Sequence, residues 1–167
     1  MKLPLKKKML DIFPIGYLKN DQHDPLIKVT LPQGEFIFNP KSSNPLVFFA
    51  AGIGITPAYA FAQWLRKIKN KKKIFFIHYS DHTTDDCLFL DAFHNIAQDY
   101  SNVIFKLHLT KELSRITDQD IASIINRYKT ADFYVCGPNT YMEFIVSTLK
   151  SHGISAERIK TEIFTPI

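Results

Sequence analysis

Cysteine is scarce in this chain. Its two, Cys87 and Cys136, lie far apart and in no CxxC pair, which argues against a disulfide framework, a zinc ribbon or a cysteine-ligated iron–sulfur site and suits a reducing compartment. Long apolar runs are missing as well: none approaches the roughly 18 residues that a membrane-spanning helix needs. The basic opening MKLPLKKKMLDIF lacks the uninterrupted apolar core of a signal peptide. A soluble, cytoplasmic protein with no membrane partner is expected. HExxH, GxSxG and Walker sequences are absent too. His78, His82, His94 and His108 show no ligand spacing and fall on separate predicted elements, so no metal site is expected. Neither an internal repeat nor a low-complexity tract interrupts the chain.

What is present is enough apolar material for one sizeable core: 167 residues, 46% of them hydrophobic. The net charge is +5, with basic runs at Lys6 to Lys8 and Lys71 to Lys73. Neither run is interleaved with aromatics or set on an Arg-rich helix, so both read as solvated surface, with no nucleic-acid partner. A basic face does suit an anionic cofactor or an acidic partner. Asp85 and Asp86, after Thr83 and Thr84, read as charges at a helix start.

The main fold signal is an alternation of strand-like and helix-like blocks. LVFFAA (46–51) is continuously apolar, as a parallel strand buried on both faces must be. KIFFIHY (73–79), VIFKLHL (103–109) and DFYVC (132–136) follow at crossover spacing. Between them, Ala58, Phe61, Ala62, Leu65 and Ile68 share one helical face, and so do Phe89, Phe93, Ile96, Ala97 and Tyr100. Thr117 with Asp120 forms a capping box opening DQDIASIINRY (118–128), and Met142, Ile145, Val146 and Leu149 stripe a fourth helix. The pattern predicts an α/β protein with a doubly wound parallel sheet. The first forty residues differ: LIKVTLPQGEFIFNP (26–40) reads as short antiparallel strands around PQGE. SSNP (42–45) then marks a boundary between a β segment at 1–44 and the α/β domain at 45–167.

The stretch AAGIGITPAYAFAQWL (50–65) places two glycines, a threonine and a proline between the first strand and its helix. Such a turn lets backbone approach a pyrophosphate closely, while the dipole at the helix start attracts its charge. Gly52 and Gly54 are expected to clear that approach, Thr56 to offer a hydroxyl at the cap, and Pro57 to occupy the first turn without losing a donor. Taken alone, the motif also fits a tight connection with no ligand. CGPNTYM (136–142) follows another strand, so its loop should lie on the same carboxyl edge and complete a crevice.

With GIGITP at 52–57, YVCGPNTYM at 134–142 and RIKTEIF at 158–164, the chain resembles the ferredoxin reductase family of flavoproteins, which includes flavohaemoglobin reductase modules, oxygenase reductases and cytochrome b5 reductase. PQGEF (32–36) looks like the last strands of that family's flavin barrel. The resemblance implies an NAD(P)H-dependent oxidoreductase that passes hydride from nicotinamide to a flavin, FAD or alternatively FMN. By it, Gly52, Gly54, Thr56 and Pro57 hold the pyrophosphate. Cys136 sits beside the nicotinamide, in a loop shaped by Gly137 and Pro138 and running to Met142. Glu162 and Phe164 place the nicotinamide against the flavin. Ser80, Asp81 and His82 stand where NADPH users of the family carry a Ser-Arg pair. A carboxylate there repels a 2′-phosphate, so NADH is expected to be preferred over NADPH.

The family's Arg-aromatic-Ser/Thr flavin motif is absent from this chain. Where its phosphate-binding segment should lie stands IFPIGYLKN (12–20), without the family's glycine and serine in place. Flavin is therefore expected to bind weakly, or to come from a flavin-bearing partner. An apolar patch around Phe36, Phe38 and Phe164 is expected to be exposed and to favour pairing, a homodimer being one form of it. The electron acceptor stays unnamed. Two alternatives remain: a non-catalytic dinucleotide-binding or interaction module, and an unrelated α/β fold with similar turns. Cys136 itself reads as a positioning residue or, alternatively, as a buried structural cysteine.

Overall fold

A computed structural model describes residues 36–39 and 42–163. The chain divides into two compact units, Met1–Glu35 and Phe36–Ile167. The predicted antiparallel strands around PQGE, the IFPIGYLKN segment and Phe164 lie outside the described residues.

Five strands form one parallel sheet in the order β3-β2-β1-β4-β5. They are β1 Leu46–Ala51, β2 Phe75–Asp81, β3 Val103–Leu109, β4 Asp132–Cys136 and β5 Ile159–Glu162. Every residue of β1 is buried, as a central strand covered on both faces requires. The helices are α1 Ile55–Lys67, α2 Leu90–Asp99, the single turn α3 Thr110–Leu113, α4 Asp118–Arg127 and α5 Asn139–Ser151. On one face α1 and α2 bury Ala58, Ala62, Leu65, Phe93 and Ile96 against Phe48, Ile77, Tyr79 and Tyr134. On the other, α4 and α5 bury Ile121, Ile125, Met142, Ile145 and Leu149 against Val47, Phe49, Phe133 and Val135. This is the doubly wound sheet that the alternating pattern predicts.

Local capping signals fix two of the boundaries. Thr117 caps α4, its hydroxyl oxygen accepting the Asp120 N–H at 3.2 Å while its own N–H donates to the Asp120 carboxylate at 2.9 Å. Asp86 makes the same reciprocal box with Thr83 around the short turn Thr84–Asp86. Two expectations need correction. Ile68 is not part of the buried face of α1: the helix ends at Lys67 and Ile68, at its C-cap, is 45% exposed. Strand β2 starts at Phe75 instead of 73, because the Lys73 backbone is engaged outside the ladder, its N–H donating to the Asn70 side chain at 3.0 Å and its carbonyl accepting the Asn102 side-chain amide at 2.7 Å, while its ammonium donates to the Ser42 carbonyl at 2.6 Å and sits over the Phe38 ring.

That contact belongs to a third correction. Phe36 and Phe38 are not an exposed patch. Phe38 is buried and packs on Phe61 and Trp64, and Phe36 packs on Phe48, Phe61 and Tyr134. The Tyr134 hydroxyl donates to the Ile37 carbonyl at 2.8 Å, and Ser42 and Asn44 both donate to the Asp132 carboxylate. Residues 36–39 and 42–44 are thereby fastened to the α/β unit, and burial of two aromatic rings drives the attachment.

Candidate functional site

The carboxyl ends of β1, β2 and β4 meet at the topological switch, where the chain leaves β1 in one direction for β2 and β3 and returns on its other side as β4 and β5. The turn Gly52–Gly54 follows β1 here and leads into α1. Gly52 has φ +53, the left-handed region, and a Cβ placed on it would meet nothing within 4 Å. Glycine is thus needed for the backbone, and the space beside it is open. Gly54 is different. Its φ of −60 suits any residue, but a Cβ would lie 2.2 Å from the Cys136 carbonyl oxygen and 2.8 Å from the Gly137 nitrogen. Gly54 is thus held as glycine by the neighbouring loop, a requirement separate from the ligand approach expected of both glycines. The Thr56 hydroxyl departs from its predicted place, donating to the Ile53 carbonyl at 2.9 Å instead of capping the helix. Pro57 stands in the first turn of α1, as predicted.

The second loop is equally tight. Cys136 pairs in register with Ala50 on one side and Glu162 on the other. Its thiol is fully buried and directed at the Glu162 carbonyl, 3.5 Å away. Burial, with the Glu162 carboxylate adding to it, pushes the thiol pKa up to about 12, so Cys136 stays neutral and is no nucleophile. A Cβ on Gly137 would press on Ala51 at 3.0 Å and Tyr141 at 3.1 Å, and the Tyr141 hydroxyl donates to the Ala50 carbonyl. Pro138 precedes α5 and accepts the Met142 N–H at 3.0 Å. The Met142 side chain, in the first turn of α5, is buried among the core residues on that face of the sheet. Glu162, at the end of β5, is half-buried.

The third group lies past β2. Ser80 is buried. Asp81 is half-exposed, one carboxylate oxygen accepting the Tyr79 hydroxyl at 2.7 Å and the other the His82 N–H at 2.8 Å. The His82 ring meets the Thr110 hydroxyl at 3.2 Å, and the His82 carbonyl accepts the Lys111 N–H. The loop after β2 is in this way tied to the loop after β3. Tyr79, Thr110, Lys111 and Tyr141 were not singled out from sequence. For Tyr79 the signal was there, since residues two apart on a strand share a face.

Among the described residues no group of three metal-ligating side chains occurs. His78 and His108, on separate strands, are nonetheless neighbours with ring centroids 5.2 Å apart, because β2 and β3 pair. A concavity of about 460 Å³ lined by Pro45, Ile74, Ile104 and residues 126–130 opens at the opposite, amino end of the sheet. No described helix is long and apolar enough to cross a membrane.

A doubly wound parallel sheet with a left-handed glycine turn at its switch point defines a Rossmann-like nucleotide-binding domain. Residues 48–147 match the family of oxidoreductase NAD-binding domains, and the chain belongs to it. It is 26% identical over 178 residues to a flavohemoprotein of Rhodopirellula baltica, covering 96% of this chain and 43% of that protein. It is 27% identical to a flavohemoprotein of Bacillus cereus, with 96% and 44% covered. Among solved structures, the FAD/NAD-binding domain of a Vibrio cholerae nitric oxide dioxygenase superposes with TM-score 0.68 at 23% identity, over 81% of this chain and 56% of that one. A Malassezia yamatoensis flavohemoglobin with bound FAD and heme superposes with TM-score 0.66 at 27% identity, over 75% and 33%. The chain spans less than half the length of these curated relatives. The ferredoxin reductase-like resemblance read from its motifs is borne out.

Proposed function

We propose that the domain binds a nicotinamide dinucleotide along this carboxyl edge and presents it to a flavin. Bound there, the nicotinamide supplies the hydride donor and the flavin, FAD or FMN, the acceptor. The observation that carries the reading is the close approach of Gly54 to Cys136 and Gly137, which leaves no room for a Cβ and brings the phosphate turn and the nicotinamide loop together on one edge. The open space at Gly52 fits a pyrophosphate, and the start of α1 turns its dipole toward that charge. Gly137, Pro138 and Glu162 shape the far end. Hydride transfer requires no general base, which suits a neutral Cys136; the chain's task is to hold donor and acceptor at near-attack distance and exclude water. Asp81 accepts ribose hydroxyls and disfavours a 2′-phosphate, so NADH is the preferred dinucleotide. Thr56 contributes only if its hydroxyl leaves the Ile53 carbonyl. A flavin-bearing partner and the acceptor protein complete the electron path.

The full burial of Cys136 behind Glu162 favours a second reading for that residue, in which its thiol packs the edge without touching the nicotinamide. Flavin-supplemented diaphorase assays test both. The purified chain should reduce ferricyanide with NADH only when FAD is added, and NADPH should be the poorer donor. Cys136→Ala should lower kcat with little effect on NADH affinity if the thiol positions the nicotinamide, and should lower stability alone if it merely packs. No turnover with any added flavin, despite dinucleotide binding, would favour a non-catalytic module.

A further inference from the structure

Tyr79 is fully buried near the end of β2, yet its hydroxyl is placed between two loop elements. It donates to the Asp81 carboxylate at 2.7 Å and accepts the Leu88 N–H at 3.1 Å. The loop between these points is closed on itself by Thr83 with Asp86 and by the Cys87 thiol on the Thr83 carbonyl. A half-exposed aspartate at a strand end would otherwise turn freely about its side-chain bonds. Here both carboxylate oxygens are engaged from the protein side, by the phenol and by the His82 N–H, leaving the outward lone pairs for further donors.

We propose that Tyr79 is a positioning residue that sets dinucleotide preference by holding the Asp81 carboxylate toward the ribose. The inference rests on the reading of Asp81 as acceptor of ribose hydroxyls. A fixed carboxylate accepts two vicinal hydroxyls well. It also cannot swing aside to relieve repulsion from a 2′-phosphate, although Lys111, joined to the His82 carbonyl, stands close by. Removing the phenol frees Asp81, so NADH loses an aligned acceptor and NADPH loses part of its penalty. Discrimination then collapses from both sides.

Calorimetric titration of NADH and NADPH into the full chain tests this. Tyr79→Phe keeps the ring in the core and should lower the preference for NADH about tenfold, the scale of one charge-assisted hydrogen bond. Asp81→Glu keeps the charge but moves the carboxylate off the phenol, and should lower it similarly. Added to Asp81→Asn, the Tyr79→Phe change should alter the preference less than about twofold, since a residue acting through Asp81 has nothing left to orient. If Asp81→Asn abolishes the preference while Tyr79→Phe leaves it intact, Tyr79 only supports the loop and the inference fails alone. If Asp81→Asn has no effect, or the unmodified chain prefers NADPH, the reading of Asp81 fails and the inference with it. Should Tyr79→Phe not fold, Asp81→Glu decides: full preference retained there means that charge, not orientation, discriminates, and overturns the proposal.

Discussion

Replacing Gly54 with alanine separates two explanations of the glycine turn. The backbone at Gly54, φ −60 and ψ −7, is ordinary right-handed helix, so alanine carries no dihedral cost there and would by itself stabilise by about 0.4–1 kcal/mol through the unfolded chain. Against that stands one methyl group 2.2 Å from the Cys136 carbonyl oxygen and 2.5 Å from its carbonyl carbon. Ordinary contact requires a retreat of about 1 Å. Strand β4 cannot yield easily, being paired to β1 on one side and β5 on the other. Forcing an extra carbon into a closed contact costs typically about 1–3 kcal/mol, so the net expectation for Gly54→Ala is a loss of about 1–2 kcal/mol.

The functional effect should be larger than the thermodynamic one. Displacing the phosphate turn by about 1 Å relative to the Cys136 loop misaligns the nicotinamide, and errors of that size cost up to about 100-fold in rate. Urea unfolding followed through Trp64, the sole tryptophan, measures stability, and flavin-supplemented diaphorase turnover measures alignment. Unaltered stability together with unaltered kcat would refute the interlock. A loss of dinucleotide affinity with kcat preserved would return Gly54 to a phosphate-clearing role.

Gly52→Ala should behave in the opposite way: a left-handed alanine costs about 1–2 kcal/mol, without a clash, and its methyl should weaken NADH affinity in a titration more than kcat. Thr117→Ala removes both hydroxyl contacts of the α4 capping box and should cost about 1 kcal/mol in urea unfolding without changing dinucleotide affinity. His78 has neither ring nitrogen hydrogen-bonded, and burial first, with His108 and Lys106 beside it outweighing Asp120, lowers its pKa from 6.5 to about 3. The unfolded chain therefore takes up the proton first: the contribution is complete above about pH 6.5 and is lost as pH falls toward 3, by about 1.4 kcal/mol between about pH 7.5 and about pH 5.5. His78→Phe should flatten that acid limb, and an unchanged pH dependence would show that His78 does not set it.

The central strand was legible because a parallel strand buried on both faces writes itself as an unbroken apolar run, and LVFFAA coincides with β1 to the residue; DFYVC coincides with β4, and VIFKLHL with the edge strand β3, where Lys106 faces solvent. The start of β2 falls later than its apolar run because the Lys73 backbone bonds the side chains of Asn70 and Asn102 in place of a neighbouring strand, and hydropathy does not encode such partners, one of them distant in the chain. The same cause hid the packing of Phe36 and Phe38. Their period-two spacing looks alike whether they cover a separate flavin-binding segment or the near face of this sheet, and only the aromatic cluster of Phe48, Phe61, Trp64 and Tyr134, assembled from three elements, decides between them.

The site divides along the same physical line. Residues whose requirement is local could be read directly: Pro57 for its place in a first turn, Thr117 and Asp120 for a box three residues long; the left-handed φ of Gly52 came only with the structure. Gly54 shows the limit, since one reason for its being glycine lies in a strand end far along the chain, which the motif does not encode. A Rossmann turn is usually explained from the ligand outward, each glycine clearing room for phosphate. Here one of the two glycines also makes room for protein, a close fit of turn and loop that is present without ligand. An edge assembled in this way has little conformational freedom left to lose on binding, and pre-organisation of that kind favours affinity and alignment together. On the proposal for Tyr79 the same logic extends to Asp81: the buried phenol holds the carboxylate that is proposed to meet the ribose.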